Sequence, residues 1–274
     1  MTEQEYIAVT YHDIFKFQLS AEELNRWNAG PKLKVNQKFK SRLKQKLVLK
    51  QNQNLSEDAK YKLKIARDAS LLLSKIPSVL FVGITGSLAM NNAKSDSDID
   101  LLVITKANFL WPSRILSLLL LKMKGFKIRK ARDANEKNKL CLNLWLDESS
   151  LDLPSMPHNA YSAHELSQVV PLVQKNNIYA NLISQNKWIL GYWPNAISQT
   201  LSSDSSNLKA ESANTLFEFV LISINIVFFV VQLLYMKPKM TRESVTLSSA
   251  FFHPFDWGEI VMKKIRTKGV FEIL

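Results

Sequence analysis

Two apolar runs separated by a short polar stretch, within residues 79–105, constrain the fold of this chain most strongly. The first run, 79–85, is rich in β-branched residues and predicts a short buried strand. It ends at Gly86-Ser87, where glycine allows a sharp turn or a close approach of the backbone to a ligand. The second run, 98–104, predicts another strand. The sequence therefore predicts two strands linked by a Gly-Ser turn and a short helical segment.

Two carboxylates, Asp98 and Asp100, stand at the start of the second run. Because side chains alternate along a strand, both should point to the same face. Neighbouring carboxylates repel each other unless a cation lies between them, and such oxygen ligands suit Mg²⁺, which is usually shared with substrate phosphates. Ser87, at the start of a helix, would offer its hydroxyl and free backbone N–H groups to a phosphate. With Gly86, these residues predict a site for a nucleoside triphosphate and Mg²⁺.

Two other phosphate or metal motifs fail on this sequence. A calcium-binding EF-hand loop beginning at Asp96 needs glycine at position 101 and glutamate at position 107, where the chain has Leu101 and Ala107. A P-loop needs Gly-Lys-Ser or Gly-Lys-Thr, and neither follows Gly86. A lone Gly-Ser or Asp-x-Asp is common in loops, so the prediction depends on finding both between two predicted strands.

The segment 86–101, GSLAMNNAKSDSDIDL, resembles the signature of the nucleotidyltransferase (DNA polymerase β-like) superfamily, and most closely its small prokaryotic domains. The resemblance implies an α+β fold with a mixed sheet flanked by helices. It also implies that Gly86 and Ser87 hold the triphosphate of a substrate such as ATP, and that the catalytic pair Asp98 and Asp100 binds Mg²⁺. Asn91 stands where these domains commonly carry glycine, and asparagine tolerates the left-handed conformation best among the other residues.

Active members of the superfamily generally carry a third carboxylate on a neighbouring strand, for which the run 140–147 is the candidate. Alternation predicts a core face and a cleft face on this strand: Leu140, Leu142, Leu144 and Leu146 on the former, Cys141, Asn143, Trp145 and Asp147 on the latter. The third position falls at Asn143, which can coordinate a metal but is a poor general base, while Asp147 at the strand end is the alternative. Two functions stay open: a nucleotidyltransferase moving an NMP group to an acceptor hydroxyl with release of pyrophosphate, or a catalytically impaired nucleotide- or nucleic-acid-binding protein.

Composition narrows the partners and the compartment. The chain has 274 residues and a formal net charge of +12, which favours an anionic partner: a nucleotide, a nucleic acid or a membrane surface. One cysteine, Cys141, excludes an internal disulfide and suits a reducing compartment. The N-terminus lacks the pattern of a signal peptide, so we expect a cytoplasmic protein.

The chain divides into three predicted regions: 1–54, 55–150 and 151–274. The first is a helical module with a capping box at Ser20 and Glu23 and a basic second helix within 32–50, similar to a trimmed winged helix. The second is the nucleotidyltransferase core, beginning with a helix capped by Ser56 and containing a basic loop or hairpin over 122–139 that includes Arg129. The third is mostly helical, with a capping box at Ser162 and Glu165 and a polar loop over 198–214.

The run 216–236 is long and apolar enough to approach a membrane span. Glu218, Asn225 and Gln232 recur every seven residues and would form one polar stripe on a helix, which a lipid-facing helix does not favour. We therefore expect a buried globular helix, with a membrane segment and a strand as the alternatives.

Overall fold

The structure is a computed structural model that describes residues 1–44, 47–50, 55–130, 133, 135–153, 156–197, 215–252 and 257–273. The polar loop predicted over 198–214 and the domain boundary at residue 54 lie outside these residues. The helices are α1 (Glu3–Asp13), α2 (Ala21–Arg26), α3 (Glu57–Leu73), α4 (Gly86–Ala89), α5 (Leu110–Met123), α6 (Ala160–Ser167), α7 (Ile178–Gln185), α8 (Thr215–Met236) and α9 (Trp257–Thr267). The strands are β1 (Leu33–Val35), β2 (Val79–Ile84), β3 (Ile99–Thr105), β4 (Leu140–Asp147), β5 (Val170–Gln174), β6 (Ser244–Val245), β7 (Ser249–Phe251) and β8 (Val270–Glu272).

A six-stranded mixed sheet with the order β5-β2-β3-β4-β7-β6 forms the centre of the protein. The pair β3–β4 is parallel, as expected for strands linked by the crossover helix α5, and the other neighbours are antiparallel. Helices cover both faces, so the α+β class and the mixed sheet flanked by helices are confirmed. The two apolar runs of the sequence are β2 and β3, and they pair directly.

Two apolar cores lie on opposite faces of this sheet. The core built on α3 and α5 includes Val82, Val103 and Trp111, all fully buried. The core on the other face joins α1, α2, α6, α7 and α9 to the sheet through residues such as Phe81 and Ile104. Elements from both ends of the chain meet in this second core, where β1 also pairs with β8. The three-region division remains a prediction.

The helix caps near the N-terminus follow the sequence closely. Ser56 Oγ accepts a hydrogen bond from Ala59 N, so α3 begins as predicted. The capping box at the start of α2 is also confirmed, since Ser20 N donates to Glu23 Oε2 over 2.8 Å and Glu23 N donates to Ser20 Oγ over 3.2 Å.

The basic helix predicted within 32–50 is present only in part. Residues Leu33–Val35 form β1 against β8, and only Gln37–Lys44 are helical, as a 3-10 helix. The apolar residues Leu33 and Val35 are two positions apart, which suits a strand, and β8 from the far end of the chain supplies the partner. Tertiary pairing thus replaces the local helical pattern.

The capping box predicted at Ser162 and Glu165 is wrong. Helix α6 begins three residues earlier, because Asn159 acts as N-cap and its Oδ1 accepts from Ser162 N over 2.9 Å. Asparagine is as good an N-cap as serine, so the earlier residue forms the cap. Glu165 therefore does not cap this helix.

Helix α8 has its polar stripe turned inward, so the expectation of a buried helix is wrong. Asn225 and Gln232 are buried, whereas the apolar residues on the remaining surface, among them Phe219 and Leu234, are exposed. The stretch Phe219–Lys239 is long and apolar enough to cross a membrane by length and composition. The heptad spacing correctly predicted a polar stripe at Asn225 and Gln232, while the side chain of Glu218, its third predicted member, lies outside the described part of the chain. The stripe faces the protein and the apolar side of α8 faces outward.

Candidate active site

Strands β3 and β4 bring three potential metal ligands together at one end of the sheet. Asp100 pairs with Cys141 across the parallel ladder, and Asp98 lies one residue before β3. One ligand atom from each of Asp98, Asp100 and Cys141 falls within 4.8 Å of the other two. The predicted proximity of the two carboxylates therefore holds in this fold.

Burial gives Asp100 an unusual electrostatic environment. Loss of water around the carboxyl, reinforced by the charge of Asp98, raises the pKa of Asp100 to about 8. Asp98 has a cationic partner, since Arg129 Nη1 lies 2.8 Å from its Oδ2, and Arg129 also pairs with Glu136. The basic segment around Arg129 thus places one guanidinium beside Asp98. The charge pattern of the sequence alone did not distinguish Arg129 from the other cations of this segment.

These carboxylates fit a divalent cation. Two carboxylates with their oxygens close together are the ligand type that hard cations prefer. The pKa of Asp100 is raised by burial and then by the charge of Asp98, and a bound cation would oppose both effects. The guanidinium of Arg129 pairs with Asp98. The thiol of Cys141 suits such a cation less well, because burial raises its pKa well above the usual value and keeps it protonated.

The Gly-Ser turn places the backbone directly against Asp100. Gly86 has φ +62°, and a Cβ at this position would collide with Asp100 Oδ2. Glycine is therefore required both for the left-handed turn and for the close approach. Ser87 follows in the short helix α4 and is partly exposed at the same opening. Asn91, with φ +52°, adopts the left-handed conformation that its position demands.

Asn143 lies within the acidic group. Its Nδ2 donates a hydrogen bond to Asp100 Oδ1 over 2.8 Å, and the side chain is buried. The predicted alternation along β4 fails next to it, because Leu102 pairs with Leu144 although Asp100 pairs with Cys141. This β-bulge reverses the facing of the residues that follow, so Trp145 enters the core with α3 and α5 instead of lining the cleft.

Asp147 is not brought to this site. It pairs with Thr105 at the far end of β3, about 17 Å along the strand from Asp100 at ~3.3 Å per residue. Its carboxylate accepts hydrogen bonds from the backbone N–H groups of Asn108 and Ser149. Asp147 therefore holds two turns in place and is not a substitute for the third carboxylate.

A cavity of about 250 Å³ opens beside the acidic pair and extends to the N-terminal helices. Its polar wall includes Gly86, Ser87, Asp100, Asn143, Glu165 and Gln168, and its apolar wall includes Phe15, Phe17, Met90, Tyr161 and Trp257. Residues from both ends of the chain thus complete a pocket to which the central sheet contributes Asp100 and Asn143. Sequence analysis missed Glu165 because its position three residues after Ser162 suggested a capping role.

Glu165 is a half-buried carboxylate on the cavity wall. Burial raises its pKa to about 7, and a hydrogen bond from Gln168 Nε2, 2.8 Å long, only partly offsets this. No ion pair to Glu165 occurs among the described residues. Its charge also contributes to the raised pKa of Asp100, so the two carboxylates share one electrostatic environment.

Two buried histidines form the neighbouring wall. His12 Nε2 lies 3.1 Å from His164 Nε2, and the His164 ring stacks on Trp27 with centroids 4.0 Å apart. Burial lowers the pKa of His12 to about 4 and that of His164 well below its usual value. Both rings are therefore neutral near pH 7 and bound to each other, which leaves Glu165 as the titratable group of this wall.

Lys62 supports the acidic loop from behind. Its fully buried Nζ donates to Ser97 O over 2.6 Å and to Asn138 Oδ1 over 2.7 Å, with a longer contact to Ser95 O. Helix α3 thereby fixes the backbone immediately before Asp98. No simple sequence signal marks this lysine, because its neighbours on the helix are also charged.

Comparisons with known proteins agree with this geometry. Residues 64–147 match the family model for the nucleotidyltransferase domain. A solved structure from Sulfolobus solfataricus, provisionally described as a nucleotidyltransferase, is similar at 22% identity over 39% of this chain and 85% of that chain. The TM-score between the two structures is 0.27. A search of the curated proteins found no significant match.

The matched segment spans the helix α3, the Gly-Ser turn, the two carboxylates and the strand that carries Asn143. Residues 64–147 of this chain therefore match the nucleotidyltransferase domain.

Proposed function

We propose that the protein transfers a nucleoside monophosphate from a triphosphate such as ATP to an acceptor hydroxyl and releases pyrophosphate. The observation that carries the proposal is the opening of one cavity onto Gly86, Ser87 and Asp100, with Asp98 beside them. The acceptor would be a small molecule, a protein side chain or an RNA end, and nucleic acid stays open as a partner. The cytoplasmic location also remains a prediction.

Asp98 and Asp100 would hold Mg²⁺ in this proposal. When bound, the ion would neutralise phosphate charge and stabilise the developing charge on the attacking and leaving oxygens. Asn143 holds Asp100 Oδ1 through its amide, which fixes the carboxylate without adding a third negative charge. Gly86 and Ser87 would bind the triphosphate through backbone N–H groups and the Ser87 hydroxyl.

Glu165 would take the proton of the acceptor hydroxyl. As the acceptor oxygen attacks the α-phosphorus, its proton passes to the Glu165 carboxylate, the bond between the α-phosphorus and the bridging oxygen breaks, and pyrophosphate leaves. A pKa of about 7 suits this role, because a base near the working pH is both available and strong enough. The amide of Asn143 cannot act as this base, and Asp100 would bind the cation.

The direct test measures pyrophosphate release and label transfer from α-labelled ATP, GTP, CTP and UTP with Mg²⁺, using total RNA, the protein itself and a panel of small hydroxyl compounds as acceptors. The double variant Asp98→Ala with Asp100→Ala should abolish transfer. Asp96→Asn, an exposed carboxylate in the same loop, is the matched control and should retain it. Transfer unchanged by the double substitution would refute the proposal.

A second candidate function is binding of nucleotide or nucleic acid without transfer. Asn143 favours it, because an amide stands where active relatives are expected to carry a carboxylate. Mg²⁺-dependent binding of a triphosphate without pyrophosphate release, for every acceptor tried, would support this alternative over the enzyme. Nucleic-acid binding would weaken with salt by roughly one log unit per log unit of salt for each phosphate neutralised.

A further inference from the structure

The inward polar stripe locks α8 in one orientation. Asn225 Oδ1 accepts from Trp111 N over 3.1 Å, and Asn225 Nδ2 donates to Leu247 O. Gln232 Oε1 accepts from Arg114 Nη1 over 2.7 Å, and Gln232 Nε2 donates to Trp111 O. Rotating the helix to hide its apolar side would break all of these bonds and leave buried polar groups unsatisfied.

The outer side of α8 is therefore a fixed apolar surface. Its exposed side chains are between 39 and 71% accessible: Phe219, Val220, Ile222, Ile224, Ile226, Val227, Val230, Val231, Leu234 and Tyr235. Helix α5 packs beside α8 and carries further exposed apolar residues on its own outer side: Leu116, Leu119 and Met123. Contiguous apolar patches of this kind mark interaction sites. We call these residues of both helices the α5/α8 face.

Exposed lysines lie at the C-terminal end of each helix of the α5/α8 face. Lys122 and Lys124 at the end of α5 are exposed, as are Lys237 and Lys239 after α8. Lys239 Nζ lies 3.8 Å from the centroid of the Tyr235 ring. A hydrogen bond from Lys239 and the nearby charge of Lys130 lower the pKa of the Tyr235 phenol, which places a further ammonium group at this end.

We propose that the α5/α8 face docks on a lipid bilayer that contains anionic headgroups, with α8 lying in the plane of the interface. An apolar helix side enters the boundary between headgroups and acyl chains, while lysines and tyrosine at its end suit the headgroup level. Asn225 and Gln232 tie α8 to Trp111 and Arg114 in the first turns of α5, so the helix docks with the domain attached and does not span the bilayer.

A second copy of this chain fits the face less well. Self-association would bring two chains of net charge +12 together and place another set of the same lysines against the face. An anionic bilayer matches both properties of the surface, because its acyl region accepts the apolar side chains and its headgroups attract the cations. The inference is independent of nucleotidyl transfer.

The test is flotation of the full chain with vesicles of phosphatidylcholine and phosphatidylglycerol, compared with phosphatidylcholine alone. The wild type should float with the anionic vesicles and far less with the neutral ones. The triple variant Val227→Ser, Val231→Ser and Leu234→Ser should lose most of the bound fraction. These side chains are exposed, so the thermal melt of the variant should match that of the wild type.

A matched control replaces exposed apolar residues elsewhere, Tyr61→Ser and Leu71→Ser on α3, and should float like the wild type. Failure of the wild type to float, or equal flotation of the triple variant, would overturn the proposal. Sedimentation provides a second arm: a wild-type dimer without vesicle binding, converted to monomer by the triple variant, would identify a second copy as the occupant and refute the bilayer.

Discussion

Asn143 donates a hydrogen bond from Nδ2 to Asp100 Oδ1 at 2.8 Å. Asn143, which stands at the position expected for the third carboxylate, thus contacts Asp100 directly. Its amide supplies a donor, whereas a carboxylate there would add a third negative charge beside Asp98 and Asp100. This hydrogen bond stabilises the two carboxylates when no cation is bound. Because the amide is neutral, less negative charge is available to bind a cation than with a third carboxylate.

Asn143→Asp should lower the stability of the cation-free protein and raise its affinity for Mg²⁺. The new carboxylate would repel Asp100, so the melting temperature without divalent cations should fall. Mg²⁺ should bind about tenfold or more tightly, which corresponds to about 1.4 kcal/mol. Calorimetric titration and thermal melts measure both effects. Asn143→Ala, which removes the hydrogen bond without adding charge, should not tighten binding; equal affinity in the two variants would contradict the charge argument.

Asp100 should make the cation-free protein less stable as pH rises. The pKa of this carboxyl is about 8 when folded and about 4 when unfolded, so folding takes up a proton between these values. Its contribution to stability is complete below about pH 4 and is lost as pH rises through about 8. Melts of the wild type from pH 5 to 8 without divalent cations should show this decline.

Asp100→Asn should flatten that pH dependence and raise the melting temperature at pH 8. A gain of 1 kcal/mol corresponds to about 2–4 °C for a chain of roughly this size. Adding Mg²⁺ should stabilise the wild type and have little effect on this variant. A variant as sensitive to pH as the wild type would place the titrating group elsewhere.

Glu165→Gln should remove the base from the proposed reaction. Glutamine keeps the size and hydrogen-bonding groups of the side chain but cannot accept the proton, so transfer should slow by about 10²- to 10⁴-fold. The wild-type rate should rise with pH through about 7, and the variant should lose this step. Single-turnover rates across pH measure both.

Glu57→Gln, an exposed carboxylate on α3, provides the control and should keep the wild-type profile. A Glu165→Gln variant that binds triphosphate normally and retains the step near pH 7 would assign the proton transfer to another group.

Lys62→Met should loosen the loop that carries Asp98. Methionine fills much of the volume but donates no hydrogen bond, so buried oxygen acceptors at Ser97 and Asn138 lose their partner. We expect a loss of about 1–3 kcal/mol in unfolding free energy and weaker Mg²⁺–triphosphate binding. Denaturant unfolding and nucleotide titration test this, with the exposed Lys64→Met on the same helix as the control. Equal stability of the two variants would contradict a structural role for Lys62.

Local sequence patterns predicted the two strands and the turn that carry the candidate site residues. The sharp turn at Gly86 was predicted correctly, since a left-handed turn against a carboxylate admits no side chain, and the two apolar runs around it become β2 and β3. The capping residues Ser20 and Ser56 were equally local signals, since each bonds a backbone group three residues away. Turns and helix caps depend on residues that are neighbours along the chain, so the sequence alone can predict them.

Tertiary structure decided the features that join distant segments. The bulge in β4 reverses its alternation, because register depends on β3 and not on β4 alone. Asp147 lies far from Asp100 because β4 continues past Cys141 until it pairs with Thr105. Glu165 reaches the cavity only because α6 packs beside the carboxylates from 65 residues earlier in the chain, and its pKa follows from that burial.

The sequence by itself therefore determined a nucleotidyltransferase domain with a Gly-Ser turn and two carboxylates. It also determined the polar stripe on α8, because seven-residue spacing is a property of the helix alone. Only the folded chain decided that this stripe faces α5, since Trp111 and Arg114 supply its hydrogen-bond partners. Once those bonds form, the apolar side of α8 faces outward, and hydrophobicity along the chain could not reveal that direction.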